Sequence, residues 1–133
     1  MTATAENEGR ARQFLHASGA RDIEQLLNLM HADVVLEMPF ALPAMPKRLQ
    51  GKSAVEKFLR ATADAFSTFN MIADAIYPLG DVVIVEHRSK GVVAANGRAY
   101  ENRYVTIFEF NASGQVLVWK EYFDPGIVLR AFA

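Results

Sequence analysis

Apolar residues recur at helical spacing through the first half of the chain and then change to long alternating runs. Ala11, Phe14, Leu15 and Ser18 share one helical face, and Gly19 follows where a helix would stop. Asp22 and Gln25 have the spacing of a side-chain cap and its reciprocal partner, and Ile23, Leu26, Leu27 and Met30 then form a second apolar stripe. Residues 34–38 are short and β-rich. Pro39, Pro43 and Pro46 follow in a segment ending at Gly51, which predicts a loop whose Phe40, Leu42 and Met45 are apolar enough to cover something. Ser53 and Glu56 repeat the cap spacing before a third stripe of Val55, Phe58, Leu59, Thr62 and Phe66.

Strands are predicted at 69–78, 82–94, 98–110 and 115–123. Asn96-Gly97 is a strong hairpin signal, and Ser113-Gly114 is a second turn. Asp124-Pro125 reads as the cap and first residue of a terminal helix carrying Ile127, Val128 and Ala131. Helices first and an antiparallel meander afterwards predict one α+β domain over residues 1–133, with the helices on one face of the sheet.

Composition narrows the chemistry. With 133 residues, 51% hydrophobic and 22% charged, the chain has material for a single packed core. A net charge of -1 argues against a nucleic-acid partner. The absence of cysteine removes disulfides, thiolate nucleophiles and cysteine-ligated metals. The first residues lack the pattern of a secretion signal and no apolar run is long enough for a membrane span, so a cytoplasmic protein without membrane contact is expected. No phosphate loop, dinucleotide turn, nucleophile elbow or zinc motif is present. His16, His31 and His87 lie far apart, so neither a metal nor a cofactor is expected.

What remains is polar residues on strands that otherwise read as core. In 98–110, Tyr100, Asn102, Tyr104, Thr106, Phe108 and Phe110 share a face that is aromatic with small polar groups, as a ligand cavity would be. In the last strand Leu117, Trp119, Glu121 and Phe123 share a face, so Glu121 is a carboxylate flanked by two large aromatics. Such burial raises a carboxyl's pKa toward neutrality and suits it to general acid or base work. A solvated strand residue is the competing reading of Glu121. His87 and Ser89 share a face of 82–94, where a histidine is either catalytic or structural.

Four segments carry a family resemblance: 22–30, 35–39, 51–58, and 110–114 leading to Glu121-Tyr-Phe-Asp124. Together they resemble the ketosteroid isomerase and SnoaL-like branch of the NTF2-like superfamily. That likeness implies a cone: a curved antiparallel sheet wrapped around three N-terminal helices and enclosing a deep pocket, with homodimers formed through the outer sheet face. The superfamily hosts isomerases, epoxide hydrolases, polyketide cyclases, dehydratases and proteins with no activity. Ketosteroid isomerases use a base near the Glu-x-Pro segment and an oxyanion hole of tyrosine and protonated aspartic acid. The matching positions here hold Met38, Phe14 and Thr106, so that mechanism does not carry over. Limonene epoxide hydrolases alternate arginine and aspartate where this chain has His87 and Ser89. Tyr100-Glu-Asn102, Tyr104, Glu121-Tyr-Phe123 and Pro125 are similar to the phenazine-biosynthesis A/B proteins. This likeness implies an acid/base role for Glu121, assisted by a pocket histidine for which His87 is the stand-in.

The expected function is acid/base catalysis on an apolar cyclic carbonyl compound. Glu121 would exchange a proton with a carbon alpha to the carbonyl or with a leaving hydroxyl, with His87 assisting. Asn102, Tyr104, Thr106, Phe108, Trp119, Phe123, Phe14, Met38, Phe40, Phe58 and Ser89 are the expected substrate contacts, and the loop 40–50 would close the mouth. A non-catalytic module for a hydrophobic metabolite is the second reading, and a phenazine-pathway condensation role the third.

Overall fold

The computed structural model describes residues 3–133, and among these it has four helices and seven strands. Helix α1 (Ala3–Ala20) buries Ala11, Phe14, Leu15 and Ala17 against the sheet. Phe14 meets Phe108 and Trp119 edge-on, with ring centroids 5.0 and 4.8 Å away. Gly19 permits the close approach of this helix to the sheet: a Cβ there would lie 2.8 Å from the backbone nitrogen of Met71.

Helix α2 (Ile23–Asn28) starts where expected, with the Asp22 carboxylate accepting from the Gln25 amide. It stops earlier than the apolar stripe suggested. The Leu29 amide closes the last turn on Gln25 and Leu26, so Met30 opens β1 (Met30–Glu37) instead of completing a helical face. The proline segment is a loop that ends in a short strand, β2 (Arg48–Gln50), paired antiparallel to β1.

Helix α3 (Lys52–Thr62) corrects the second predicted cap. Its N-cap is Gly51, with no side-chain cap, while Ser53 lies inside the helix and Glu56 binds Arg60 at 2.8 Å one turn on. Phe66, expected on that helix, opens β3 (Phe66–Leu79).

The long strands follow as β4 (Val82–Val93), β5 (Ala99–Tyr100), β6 (Arg103–Phe110) and β7 (Val116–Phe123). The hairpin after β4 spans residues 94–97. Val93 bonds Arg98 across its base, and Gly97 adopts a φ of 70°. The predicted strand 98–110 is broken at Glu101 and Asn102, because the Asn102 side chain takes the Arg103 amide that a continuous strand would offer its neighbour. The path through the sheet runs β2-β1-β7-β6-β4-β3, with β5 added to β4. Strand β1 runs parallel to β7, so a single parallel pair closes an otherwise antiparallel meander.

One face of this curved sheet receives α1 and carries the main core, and the other alternates toward solvent. The alternation holds through β6. In β7 a bulge at the Glu109/Phe110 step turns Val116 inward, displacing Leu117 from the face that Trp119, Glu121 and Phe123 share. Helix α4 (Pro125–Ala131) is capped by Asp124, whose carboxylate accepts from Gly126 and Ile127. No helix among the described residues is long and apolar enough to cross a membrane.

Candidate active site

A cavity of about 450 Å³ opens between the concave face of the sheet, the ends of α1 and α3, and the proline loop. Its walls are apolar: Leu26, Met38, Met45, Phe58, Phe69, Met71, Trp119 and Phe123 all face it. Among the described residues, Glu121 and Arg21 are the only charged side chains in the lining, and Tyr100, Tyr104, Ser18 and Thr62 are the polar ones.

Glu121 stands between Trp119 and Phe123 on β7, opposite Thr106 in the β6 register. The side chain is half-buried and its carboxyl forms part of the apolar wall. Desolvation there lifts the carboxyl from its ordinary 4.5 to about 7, against the polar contact of the Trp119 indole, which lowers it. The group can therefore be found either protonated or ionised near neutrality.

Beside it lies a directed chain of hydroxyl groups. The Asn102 side-chain oxygen accepts from the Arg103 and Asp124 amides at 2.8 and 3.1 Å, which fixes which end of the amide is nitrogen. Its Nδ2 then donates to the Tyr100 hydroxyl at 2.8 Å and to the Asp124 carbonyl at 3.1 Å. Tyr100 also accepts from the Tyr104 hydroxyl at 3.2 Å. With Tyr104 so committed, Ser89 Oγ is the donor in its 2.8 Å bond to Tyr104, and it accepts from the Asn102 amide at 3.3 Å.

The hydroxyl donors in this chain run from Ser89 through Tyr104 to Tyr100. The Tyr100 oxygen receives two hydrogen bonds, and its own proton is donated to no group among the described residues. Cooperative polarisation along such a chain strengthens the terminal donor. Burial, opposed in part by those two accepted bonds, raises the Tyr100 pKa, and the Glu121 charge raises it further; Tyr104 is raised by burial as well. Both phenols stay protonated, Tyr104 with its proton given to Tyr100 and Tyr100 with its proton left to donate.

His87 is buried behind Tyr104. Its ring lies flat on the Tyr104 ring, with centroids 4.6 Å apart and planes 4° from parallel, and its Nε2 is 2.8 Å from Thr106 Oγ1. Nδ1 has no hydrogen-bond partner. Placing the proton on Nε2 leaves only a bare acceptor at Nδ1, the cheaper of the two assignments. Burial lowers the pKa to about 4, against the pull of Asp74, so the imidazole is neutral. No three His, Cys, Asp or Glu side chains among the described residues gather as a metal site would require.

Residues 11–129 match the profile of the SnoaL-like domain. The chain belongs to the SnoaL-like family. It is 26% identical to the YesE protein of Bacillus subtilis over 123 residues, covering 91% of this chain and 83% of that one. A Bacillus subtilis crystal structure, provisionally described as an isomerase, superposes with a TM-score of 0.88 at 26% identity over 99% of this chain and 96% of the other. A phenazine biosynthesis-related protein of Pseudomonas aeruginosa superposes at 0.82, with 17% identity over 97% and 82% of the two chains. The NTF2-like cone anticipated from the sequence is thus the fold.

Within this SnoaL-like cavity the structure gathers Glu121, Tyr104, Trp119, Phe123, Met38 and Phe58. The other predicted contacts lie elsewhere. Phe14 and Phe108 are buried in the packed core beneath the cavity, where each fills space against the other. Phe40 is 54% exposed and packs on Tyr122 in a groove on the outer side of the sheet, because the chain turns outward after Pro39. His87 and Thr106 are sealed behind Tyr104, and Ser89 and Asn102 support the two tyrosines without lining the cavity. Arg21, Ser18 and Thr62 are polar cavity groups that sequence reasoning missed, and Tyr100, placed on the cavity face, was not among its expected substrate contacts. Tyr100 had a signal, since it shares the strand face of Asn102 and Tyr104. Arg21 had none, as it follows a helix end where no periodicity applies.

Proposed function

We propose that the protein is a proton-transfer enzyme acting on an apolar cyclic carbonyl compound. The observation that carries this reading is the pairing, in one largely apolar cavity, of a carboxyl poised near neutrality with a phenol whose proton is free. In this reading the Glu121 carboxylate removes a proton from the carbon alpha to the carbonyl. The bonding pair moves into the carbonyl, and the enolate oxygen is held by the Tyr100 hydroxyl. The protonated Glu121 then returns the proton to the same carbon or to a conjugated one, so an isomerisation needs no other reactant.

Tyr100 is the residue in direct contact with the oxygen, while Tyr104, Ser89 and Asn102 act as positioning residues. The provisional isomerase description of the Bacillus subtilis neighbour is compatible with this chemistry. The test is hydrogen–deuterium exchange at the alpha carbon of a bicyclic ketone such as 1-tetralone. Wild type should accelerate exchange and Glu121→Gln should not, whereas exchange at the uncatalysed rate with both would favour a binding module without catalysis.

A further inference from the structure

Among the described residues, Arg21 is the one cation in the cavity lining. It links α1 to α2 at a φ of 54°, a left-handed conformation that costs a side-chain-bearing residue roughly 1–2 kcal/mol. The turn is held by the Arg21 amide on the Ser18 carbonyl and the Asp22 amide on the Ala17 carbonyl. This geometry brings the guanidinium into the cavity lining, where its Nη1 donates to the backbone carbonyls of Ala63 and Phe66.

No carboxylate forms an ion pair with Arg21 among the described residues, and Nε and Nη2 have no hydrogen-bond acceptor there. Arg10, Arg12, Arg60 and Arg88 have acidic partners, while Arg48, Arg98, Arg103 and Arg130 have none among the described residues but lie outside the cavity lining. The cavity therefore has a cationic pole with unused donors and, at Glu121 and Tyr100, a proton-transfer pole. Phe66 relates the two, because its carbonyl holds Arg21 and its ring lies 4.9 Å from that of Tyr100.

We infer that Arg21 is a specificity residue for an anionic substituent, so that the substrate is a cyclic keto acid. Its carboxylate sits at Arg21, its carbonyl faces Tyr100, and its ring system lies against the apolar wall between them. The inference rests on the cavity being the substrate site and extends that reading from an apolar ketone to an acid. A planar guanidinium with free N–H groups on two nitrogens, Nε and Nη2, suits a carboxylate in a largely apolar wall, where a charge-assisted pair is strong.

The test is calorimetric binding at pH 7.5 of 5-oxo-5,6,7,8-tetrahydronaphthalene-2-carboxylate and its methyl ester. Wild type should bind the acid at least about tenfold tighter than the ester. Arg21→Met should lose that preference while the ester affinity stays within about twofold, and Arg21→Lys should keep part of it. The unchanged ester affinity distinguishes lost recognition from a damaged cavity. Equal affinity for acid and ester in wild type, no binding of the acid, or a preference that survives Arg21→Met would overturn the inference. Glu121→Gln should retain the preference for the acid, so a failure of the proton-transfer reading would show in exchange and not in this ratio.

Discussion

The hydroxyl groups of Tyr104 and Tyr100 meet at 3.2 Å, with Tyr104 donating, although the two residues stand on separate strands. The consequence is a free proton on Tyr100 at the cavity wall. Tyr100→Phe should therefore lower catalysed exchange by about 100-fold or more, the usual effect of removing one donor to a developing oxyanion. Tyr104→Phe should cost less, because Tyr100 still accepts from Asn102. Steady-state rates for both variants, with circular dichroism as the control for folding, check this order; equal losses would contradict it.

Glu121 should tie stability to pH. Its carboxyl is harder to ionise in the folded protein than in the unfolded chain, so the native state binds more protons between about pH 4.5 and 7. Stability should then fall as pH rises through that window, by up to about 3 kcal/mol from this group. Glu121→Gln removes the slope. Thermal melts should show the variant gaining on wild type between pH 5 and pH 8, and parallel curves would refute the desolvated carboxyl.

His87 acts with the opposite sign. Its folded pKa near 4 lies below its ordinary 6.5, so its contribution is complete above about pH 6.5 and is lost as pH falls through about 4, to roughly 3 kcal/mol. The windows of His87 and Glu121 overlap, and in wild type the two slopes offset each other. His87→Phe, which keeps a ring on Tyr104, should lose less stability than wild type between pH 7 and pH 4.5. Denaturant midpoints at the two pH values supply the comparison.

Asn102 closes the gap between β5 and β6 and ties it to the start of α4. Asn102→Ala would remove acceptors from the Arg103 and Asp124 amides and a donor from Tyr100. A loss of about 3 kcal/mol in urea denaturation is expected, the scale of leaving buried polar groups without partners. Its effect on exchange should follow from displacement of Tyr100.

The alternation of strands made much of this site legible beforehand. Backbone pleating sets the faces, so Trp119, Glu121 and Phe123 had to point together once 115–123 was read as a strand. The segments that misled were those decided by long-range or side-chain contacts. Met30 belongs to β1 because β7 pairs with it, and Phe40 packs outward on Tyr122 while Leu42 and Met45 of the same loop reach the cavity. Parity placed His87 on the inner face correctly but says nothing of depth; Tyr104 stands between it and the cavity. The break at Asn102, which creates the free proton on Tyr100, depends on four side-chain bonds that no periodicity encodes.

The most direct test of the central claim is the pH profile of alpha-carbon deuterium exchange in 5-oxo-5,6,7,8-tetrahydronaphthalene-2-carboxylate. With Glu121 as the base, the catalysed rate should rise with pH, bend near pH 7 and level off as the carboxylate becomes fully formed, and Glu121→Gln should abolish it. A profile without that bend, or exchange undiminished in Glu121→Gln, would contradict the assignment of Glu121 as the proton carrier.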